Sequence, residues 1–492
     1  MLREEPTEHP LWSKTTRALL VMALVLAIPY ASPKLRSLRV TPAPWDTELP
    51  PPPSASSGGA APASTGETAL HATENQGTIT NALPENKSDA PAPDPAVLAK
   101  LAGSIAVEDP TGHTLDAFFA ELARTEHKDA AGDERHGITR ILHYGDSVIT
   151  SDLISGTMRR RFQDRFGDAG HGFVLTANPW EWYFHNDVMH AASEGWSISR
   201  ITGPFSGDHI YGLGGVSFHT TAGGASASFG TPSKGDYGRK VSRFDVYYLE
   251  QPYGGDIELW AAGQPAEVFS TRGPAKASRV HTLHVPDGAA TLTLRTRGNG
   301  DVRVFGVALE RDEPGVVYDA LGANGARARL WDQMDGAHWA DQMALRKPAL
   351  IVLQYGTNES EDGVVQPETY AQKLGALIEK IKAAAPDASV MVASPLDRAE
   401  KTESGGFRTR KIIVQLVELQ RKTALEHQVA FFNAYEAMGG AGSMARWVRA
   451  NPQLGSWDLT HPTPAGGEVI GDLFFKALMA GYAAYTARSA AR

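Results

Sequence analysis

The sequence predicts an α/β protein in which a parallel sheet, covered by helices on both faces, is interrupted by an antiparallel β insertion. Three observations predict it. One short apolar strand, Ile138 to His143, runs directly into a helix, Leu153 to Phe166. From about residue 176 to 314 the texture changes to short β runs separated by Gly, Pro and Asp turns. From Val316 onward, buried strands and amphipathic helices alternate to the end of the chain.

Taken in order, residues 1–17 are expected as a polar, cytoplasmic N-terminal segment and 18–32 as a transmembrane anchor or signal segment. The run Ala18 to Ala31, with Lys14 and Arg17 before it, spans about 21 Å as a helix, short of the roughly 30 Å hydrocarbon core. No small-x-small cleavage site follows, so the expectation is an uncleaved anchor, with a cleaved export signal as the alternative. Residues 33–98 are rich in Pro, Ala, Ser, Gly and Thr, PPPSASSGGAAPAS being the densest part. Such a composition buries too little surface to offset its ordering entropy, which predicts a disordered tether reaching roughly 45 Å on average.

The folded part is expected as 99–175, 176–314 and 315–492. In the first, Thr114 to Glu126 carries Leu115, Phe118, Phe119 and Leu122 at helical spacing, with Thr114 as N-cap. In the second, Phe244–Leu249, Ile257–Trp260, Val280–Val285, Thr291–Thr296 and Val302–Leu309 alternate apolar with polar residues, as in an antiparallel sandwich or jelly roll. In the third, strands Leu350–Gln354, Ser389–Ala393 and Val429–Phe432 alternate with helices Glu368–Ala384, Thr409–His427 and a last helix after His461.

Composition narrows the chemistry. The 492 residues include no cysteine, which excludes disulfides, thiolate metal sites, a Cys nucleophile and lipidation on an N-terminal Cys. A net charge of −9, with the 47 Lys and Arg scattered, carries no nucleic-acid footprint.

Four motifs carry candidate chemistry. His143-Tyr-Gly-Asp-Ser147 puts a serine directly after an apolar strand, at the carboxyl end where open α/β sheets place ligands. Asp146 reads as a turn or cap residue. Asp-x-x-His occurs at 133/136, 187/190, 335/338 and 458/461, so spacing cannot choose. Context does, because Asp458-Leu-Thr-His461-Pro lies in a turn-rich loop before the last helix, where both side chains can face one cleft. Tyr355-Gly-Thr-Asn358-Glu359 follows the strongest buried strand, and the Asn358 amide can donate to an oxyanion. Gly322-Ala-Asn-Gly325 follows Val316 to Ala320, and Gly325 leaves its N–H uncovered. Singly, each is also an ordinary turn.

Together the four blocks, in this order, resemble the SGNH/GDSL hydrolases, over about Leu115 to Leu175 and Val316 to the end. The resemblance implies a three-layer, flavodoxin-like catalytic domain and a Ser147–His461–Asp458 triad. It also implies an oxyanion hole from the Ser147 and Gly325 N–H groups and Asn358, with no metal or other cofactor. Glu359 departs from the Gly-x-Asn-Asp of many members. The long insertion, GTNE and GANGA are similar to peptidoglycan O-acetylesterases, whose catalytic domain is interrupted by a carbohydrate-binding-module-like sandwich.

The expected function is therefore a serine esterase removing O-acetyl groups from a cell-envelope polysaccharide, foremost peptidoglycan, through an acyl-enzyme on Ser147. An O-acyltransferase using the same triad and a non-catalytic glycan-binding scaffold are the alternatives. Trp180, Trp182 and Tyr183 are candidates for a sugar platform. The expected partners are an O-acylated polysaccharide and, through the N-terminal segment, a membrane. The catalytic domain is then periplasmic or otherwise extracytoplasmic, or secreted if the segment is cleaved.

Overall fold

The computed structural model describes residues 105–128, 137–362 and 366–490. The expected anchor, the linker and the Asp133/His136 pair lie outside them. Among the described residues no helix is long and apolar enough to cross a membrane.

The first α/β segment contains α1 (Asp116–Glu126), β1 (Ile138–Gly145), α2 (Ser147–Thr150) and α3 (Leu153–Phe166). The expected Thr114 cap is not formed. Leu115 occupies that position without a side-chain cap, and the Thr114 N–H is instead taken by Asp109 at 3.0 Å. The Asp109 carboxylate also accepts the Thr111 and Gly112 N–H groups at 3.0 and 2.8 Å, so it fixes the chain ahead of the helix and leaves the helix's own first donors uncapped by a side chain.

Eleven strands follow: β2 (Gly172–Leu175), β3 (Met189–Ala192), β4 (Ser197–Arg200), β5 (Val216–Thr220), β6 (Gly223–Gly230), β7 (Val241–Glu250), β8 (Asp256–Ala261), β9 (Glu267–Ser270), β10 (Ala277–Gly288), β11 (Thr291–Arg297) and β12 (Val302–Glu310). They form two antiparallel sheets, β10-β7-β12-β5-β4 with β2 on β12, and β3-β6-β11-β8-β9. Phe229, Ile257, Leu259, Leu292 and Leu294 of one sheet share a core with Phe244, Val246, Val304 and Val307 of the other. This is the inward half of the alternation read along each strand.

The second α/β segment holds β13 (Gly315–Gly322), α4 (Gly336–Arg346), β14 (Leu350–Gln354), α5 (Pro367–Ala384), β15 (Ser389–Ala393), the hairpin of β16 (Ala399–Lys401) and β17 (Phe407–Thr409), α6 (Lys411–Glu426), β18 (Ala430–Phe432), α7 (Ala434–Ala437), α8 (Ser443–Val448) and α9 (Pro464–Ala490). Its sheet joins β1 in the order β13-β1-β14-β15-β18, all neighbours parallel. Counted along the α/β segments, this is the flavodoxin-like order 2-1-3-4-5.

Because both faces of these strands are covered, they read as continuous apolar runs rather than alternations. Ile351 and Leu353 of β14 face a core with Trp339 of α4, Ile378 of α5 and Ile413 of α6. Leu350 and Val352 face the opposite core, with Met158 and Phe162 of α3 and Phe474 of α9. The result is three layers, helix, sheet and helix.

A buried ion network joins the two kinds of sheet. Glu310, at the end of β12, receives Arg140 of β1 at 2.7 and 2.9 Å, Arg346 of α4 and Arg243 of β7. Arg346 also grips Asp319 of β13 at 2.6 and 2.8 Å, and Asp319 accepts the Phe173 N–H of β2 at 2.8 Å. Burial pushes the Glu310 carboxyl up, but the Arg140 and Arg346 guanidinium groups more than offset it and hold it well below the usual range.

Candidate active site

The strand order fixes where a site can form. β1 lies between β13 and β14, so consecutive connections leave in opposite directions at its carboxyl end, and the diverging loops open a crevice there. Gly145, the last residue of β1, lies opposite Gly322 on one side and Gln354 on the other. The blocks carrying Ser147, Gly325 and Asn358 thus leave three neighbouring strands at the same edge.

Ser147 is the first residue of α2, so its N–H has no intrahelical acceptor. Asp146 caps the turn, accepting the Val148 N–H at 3.1 Å, and is buried, which agrees with its reading as a cap. The turn fits only without side chains around it. A Cβ on Gly145 would stand 2.4 Å from Ile149 Cγ1, and one on Gly322 would stand 2.2 Å from the Thr150 nitrogen.

His461 reaches the same turn from the loop before α9, with its Nε2 2.7 Å from Ser147 Oγ. Its Nδ1 lies 2.6 Å from Asp458 Oδ2, while Asp458 Oδ1 accepts the Thr460 and His461 N–H groups at 2.9 and 3.0 Å. An ionised carboxylate only accepts, so Nδ1 carries the hydrogen and Nε2 is left to accept from the serine hydroxyl. Burial raises the Asp458 carboxyl, but the His461 ring and the two backbone N–H groups outweigh it, giving about 2. Partial burial lowers the His461 pKa, while Asp458 and then Asp146 raise it, and the net direction is up.

Gly325 sits at φ +76° on an exposed turn, with no atom within 4 Å of where a Cβ would stand. Asn358 Nδ2 donates to the Ala326 carbonyl at 2.9 Å, which ties the Asn turn to the Gly turn and leaves its second amide hydrogen unused by that bond. Glu359 ties them again. Its Oε1 accepts the Ala328 N–H at 2.9 Å and its Oε2 the Gly356 N–H at 3.1 Å. Burial raises this carboxyl to about 7. The Asp-to-Glu departure is therefore a buried brace between two loops, a role invisible without knowing that the loops are neighbours.

The three aromatic candidates separate. Tyr183 is buried and its hydroxyl accepts the Leu175 N–H at 2.9 Å, so its ring belongs to the core. Trp180 packs half-buried against the same core. Trp182 is 68% exposed, edge-on to Phe184, whose N–H bonds the Thr150 carbonyl of the serine turn. Sequence reasoning missed Trp457, 67% exposed and directly before Asp458. An aromatic abutting the Asp-x-x-His loop was the available signal.

The other described Asp-x-x-His pairs serve the scaffold. Asp335 caps α4, His338 bonds Ser278, Asp187 pairs with Arg160, and His190 bonds the Thr176 carbonyl. Among the described residues no group of three or more His, Cys, Asp or Glu is arranged to hold a metal ion.

A doubly wound sheet with a serine, an imidazole and a carboxylate in hydrogen-bonded series at its switch point is the arrangement of a carboxylic ester hydrolase. Residues 287–469 match the GDSL-like Lipase/Acylhydrolase family, a span that includes Gly325, Asn358, Asp458 and His461 and stops short of Ser147. Over those residues the chain is similar to the GDSL-type acylhydrolases. No curated protein matches it. Among solved structures, a peptidoglycan O-acetylesterase shares the fold at a TM-score of 0.64 and 22% identity, over 77% of this chain and 99% of its own. Family two carbohydrate esterases from Clostridium thermocellum and Cellvibrio japonicus match at TM-scores of 0.25, with 10% and 12% identity. They cover 52% and 60% of this chain, and 92% and 98% of theirs.

Proposed function

We propose that this protein is a serine esterase that removes O-acetyl groups from a cell-envelope polysaccharide, peptidoglycan foremost. The observation that carries the reading is the unbroken series Ser147 Oγ, His461 Nε2, His461 Nδ1, Asp458 Oδ2, with links of 2.7 and 2.6 Å. The likeness in fold to a peptidoglycan O-acetylesterase supports the substrate class.

In this reading His461 takes the Ser147 proton as Oγ attacks the acetyl carbonyl, and Asp458 stabilises the imidazolium that forms. The Ser147 and Gly325 N–H groups and the Asn358 amide hold the oxyanion. As the tetrahedral intermediate collapses, His461 returns the proton to the sugar oxygen, leaving acetyl on Ser147. Water, deprotonated by His461, attacks the acyl-enzyme, and acetate leaves as the proton passes to Ser147. The side chains of His461 and Asp458 are 38% and 49% exposed, which gives water a path to the acyl-enzyme. Trp182 and Trp457 offer exposed indole faces for a pyranose ring, beside the serine turn and the histidine loop respectively.

The deciding experiment measures acetate release from an aryl acetate and from O-acetylated peptidoglycan by the wild type and Ser147→Ala. Both activities are expected to fall at least 10³-fold in the variant, on the order of triad removal elsewhere. An equally active variant would refute the mechanism, and aryl acetate cleavage without acetate release from the glycan would refute the substrate.

The same reading places the catalytic domain outside the cytoplasmic membrane, tethered through residues 18–32 by the Pro/Ala/Ser linker. Support comes from the apolar run and the linker composition. Recovery of the full chain in the membrane fraction, accessible to protease added from outside, is the expected result.

A further inference from the structure

Arg398 lies on the loop after β15 and joins two loops of the site that no strand or helix connects. Its Nε donates to Thr460 Oγ1 at 3.0 Å, inside the Asp458–His461 loop. Its Nη1 donates to the Thr357 carbonyl at 3.1 Å and to Ser360 Oγ at 2.9 Å, on either side of Asn358 and Glu359. Its Nη2 pairs with Glu361. The Thr460 hydroxyl passes the link on, donating to the Asp458 carbonyl at 3.2 Å. The backbone next to Arg398 is pinned as well, since the Ala399 N–H bonds the Leu459 carbonyl at 3.0 Å. Only a planar fork of N–H donors can reach acceptors on both loops at once.

We propose that Arg398 is a positioning residue of the esterase reaction, the tie that keeps the Asp458–His461 loop and the Asn358 turn in register across the site. The proposal rests on the Ser147 esterase reading. Proton transfer and oxyanion stabilisation must be served by the same bound ester, and misplacement by about 1 Å costs on the order of 10²-fold in rate. The two functions sit on loops more than a hundred residues apart in sequence, and Arg398 spans them while 15% exposed. The guanidinium also acts on the imidazole directly. Asp458 and Asp146 raise the His461 pKa, and Arg398 opposes them.

The test compares Arg398→Met, Arg398→Lys and Thr460→Val with wild type in aryl acetate kinetics across pH, alongside thermal melting. Arg398→Met is expected to lose about tenfold to a hundredfold in kcat with KM little changed, and to move the acid limb of kcat/KM to higher pH, because the opposing charge is gone. Arg398→Lys keeps the charge and loses the fork, so the limb stays near its wild-type position while kcat remains low. Thr460→Val is nearly isosteric and cuts one link, and is expected to lower kcat several-fold with an unchanged melting temperature. Wild-type kcat and an unmoved limb in Arg398→Met would overturn the proposal. So would wild-type kcat in both Arg398→Lys and Thr460→Val, which would leave Arg398 a stabilising residue only. Ser147→Ala retaining full activity would overturn the esterase reading beneath it, an outcome told apart from these because it is read in a separate variant.

Discussion

Leu459 stands between Asp458 and His461 at φ +61°, a left-handed conformation rarely occupied by a bulky residue. The turn it makes lets one Asp458 carboxylate take two backbone N–H groups and the imidazole Nδ1 together. With the His461 pKa raised, its free-base form is lost on the acid side beginning above the ordinary value of 6.5, so kcat/KM should rise with pH through a midpoint higher than that. Asp458→Asn removes the larger of the two carboxylate influences that raise it and leaves Asp146 in place. That variant is expected to lose about 10³–10⁴-fold in kcat, with the residual activity's acid limb moved to lower pH. A limb that stays in place would mean that Asp458 does not govern the imidazole. Glu359 makes a second prediction at this scale. Its folded pKa of about 7 stands above the reference 4.5. Its contribution is therefore full below the unfolded value and lost as pH rises through 7, by about 3 kcal/mol in all. Glu359→Gln should flatten that fall in melting temperature between the two values, from 4.5 to about 7. It should also slow turnover, because an amide cannot accept both the Ala328 and Gly356 N–H groups as the carboxylate does. Parallel melting profiles for the two proteins would count against the brace.

The β1–α2 turn is the element on which the proposed chemistry depends. Gly322, on the neighbouring strand β13, has the Thr150 backbone where its Cβ would be. Backbone cannot swing aside as a flexible side chain can, so Gly322→Ala must displace either β13 or the turn that carries Ser147. The expected cost is about 1–3 kcal/mol in stability, with a loss of kcat larger than that destabilisation alone explains. Activity following the folded fraction alone would show that the turn absorbs the methyl. The elements also differ in how far the sequence announced them. Helix Leu153–Phe166 and strands Leu350–Gln354 and Ser389–Ala393 are found at the expected residues, because burial on both sheet faces or one helix stripe leaves a strong apolar pattern. Strands β3 to β6 were not read. β6 is GGASASFG, whose small residues carry little β-propensity and form a strand through pairing with β3 and β11.

At the scale of the whole molecule, Glu310 couples the antiparallel sheets to the parallel one. Glu310→Ala would leave Arg140, Arg346 and Arg243 facing one another without their shared counter-charge. Breaking a buried ion pair from one side costs about 3–5 kcal/mol, and calorimetry should show a large drop in melting temperature. Unchanged melting would mean that the network contributes nothing to holding the sheets together. The sequence by itself determined the alternation of strands and helices, the antiparallel character of the middle, and the order of the serine, glycine, asparagine and Asp-x-x-His blocks, because these are written in local apolar period and short-range turn chemistry. It could not show the brace formed by Glu359, the cross-loop tie of Arg398, the burial of Tyr183 against the exposure of Trp182, or the Glu310 network. Each of those depends on which strands become neighbours and which loops leave the same edge, and that is decided by long-range pairing and packing between residues whose local sequences carry no record of one another.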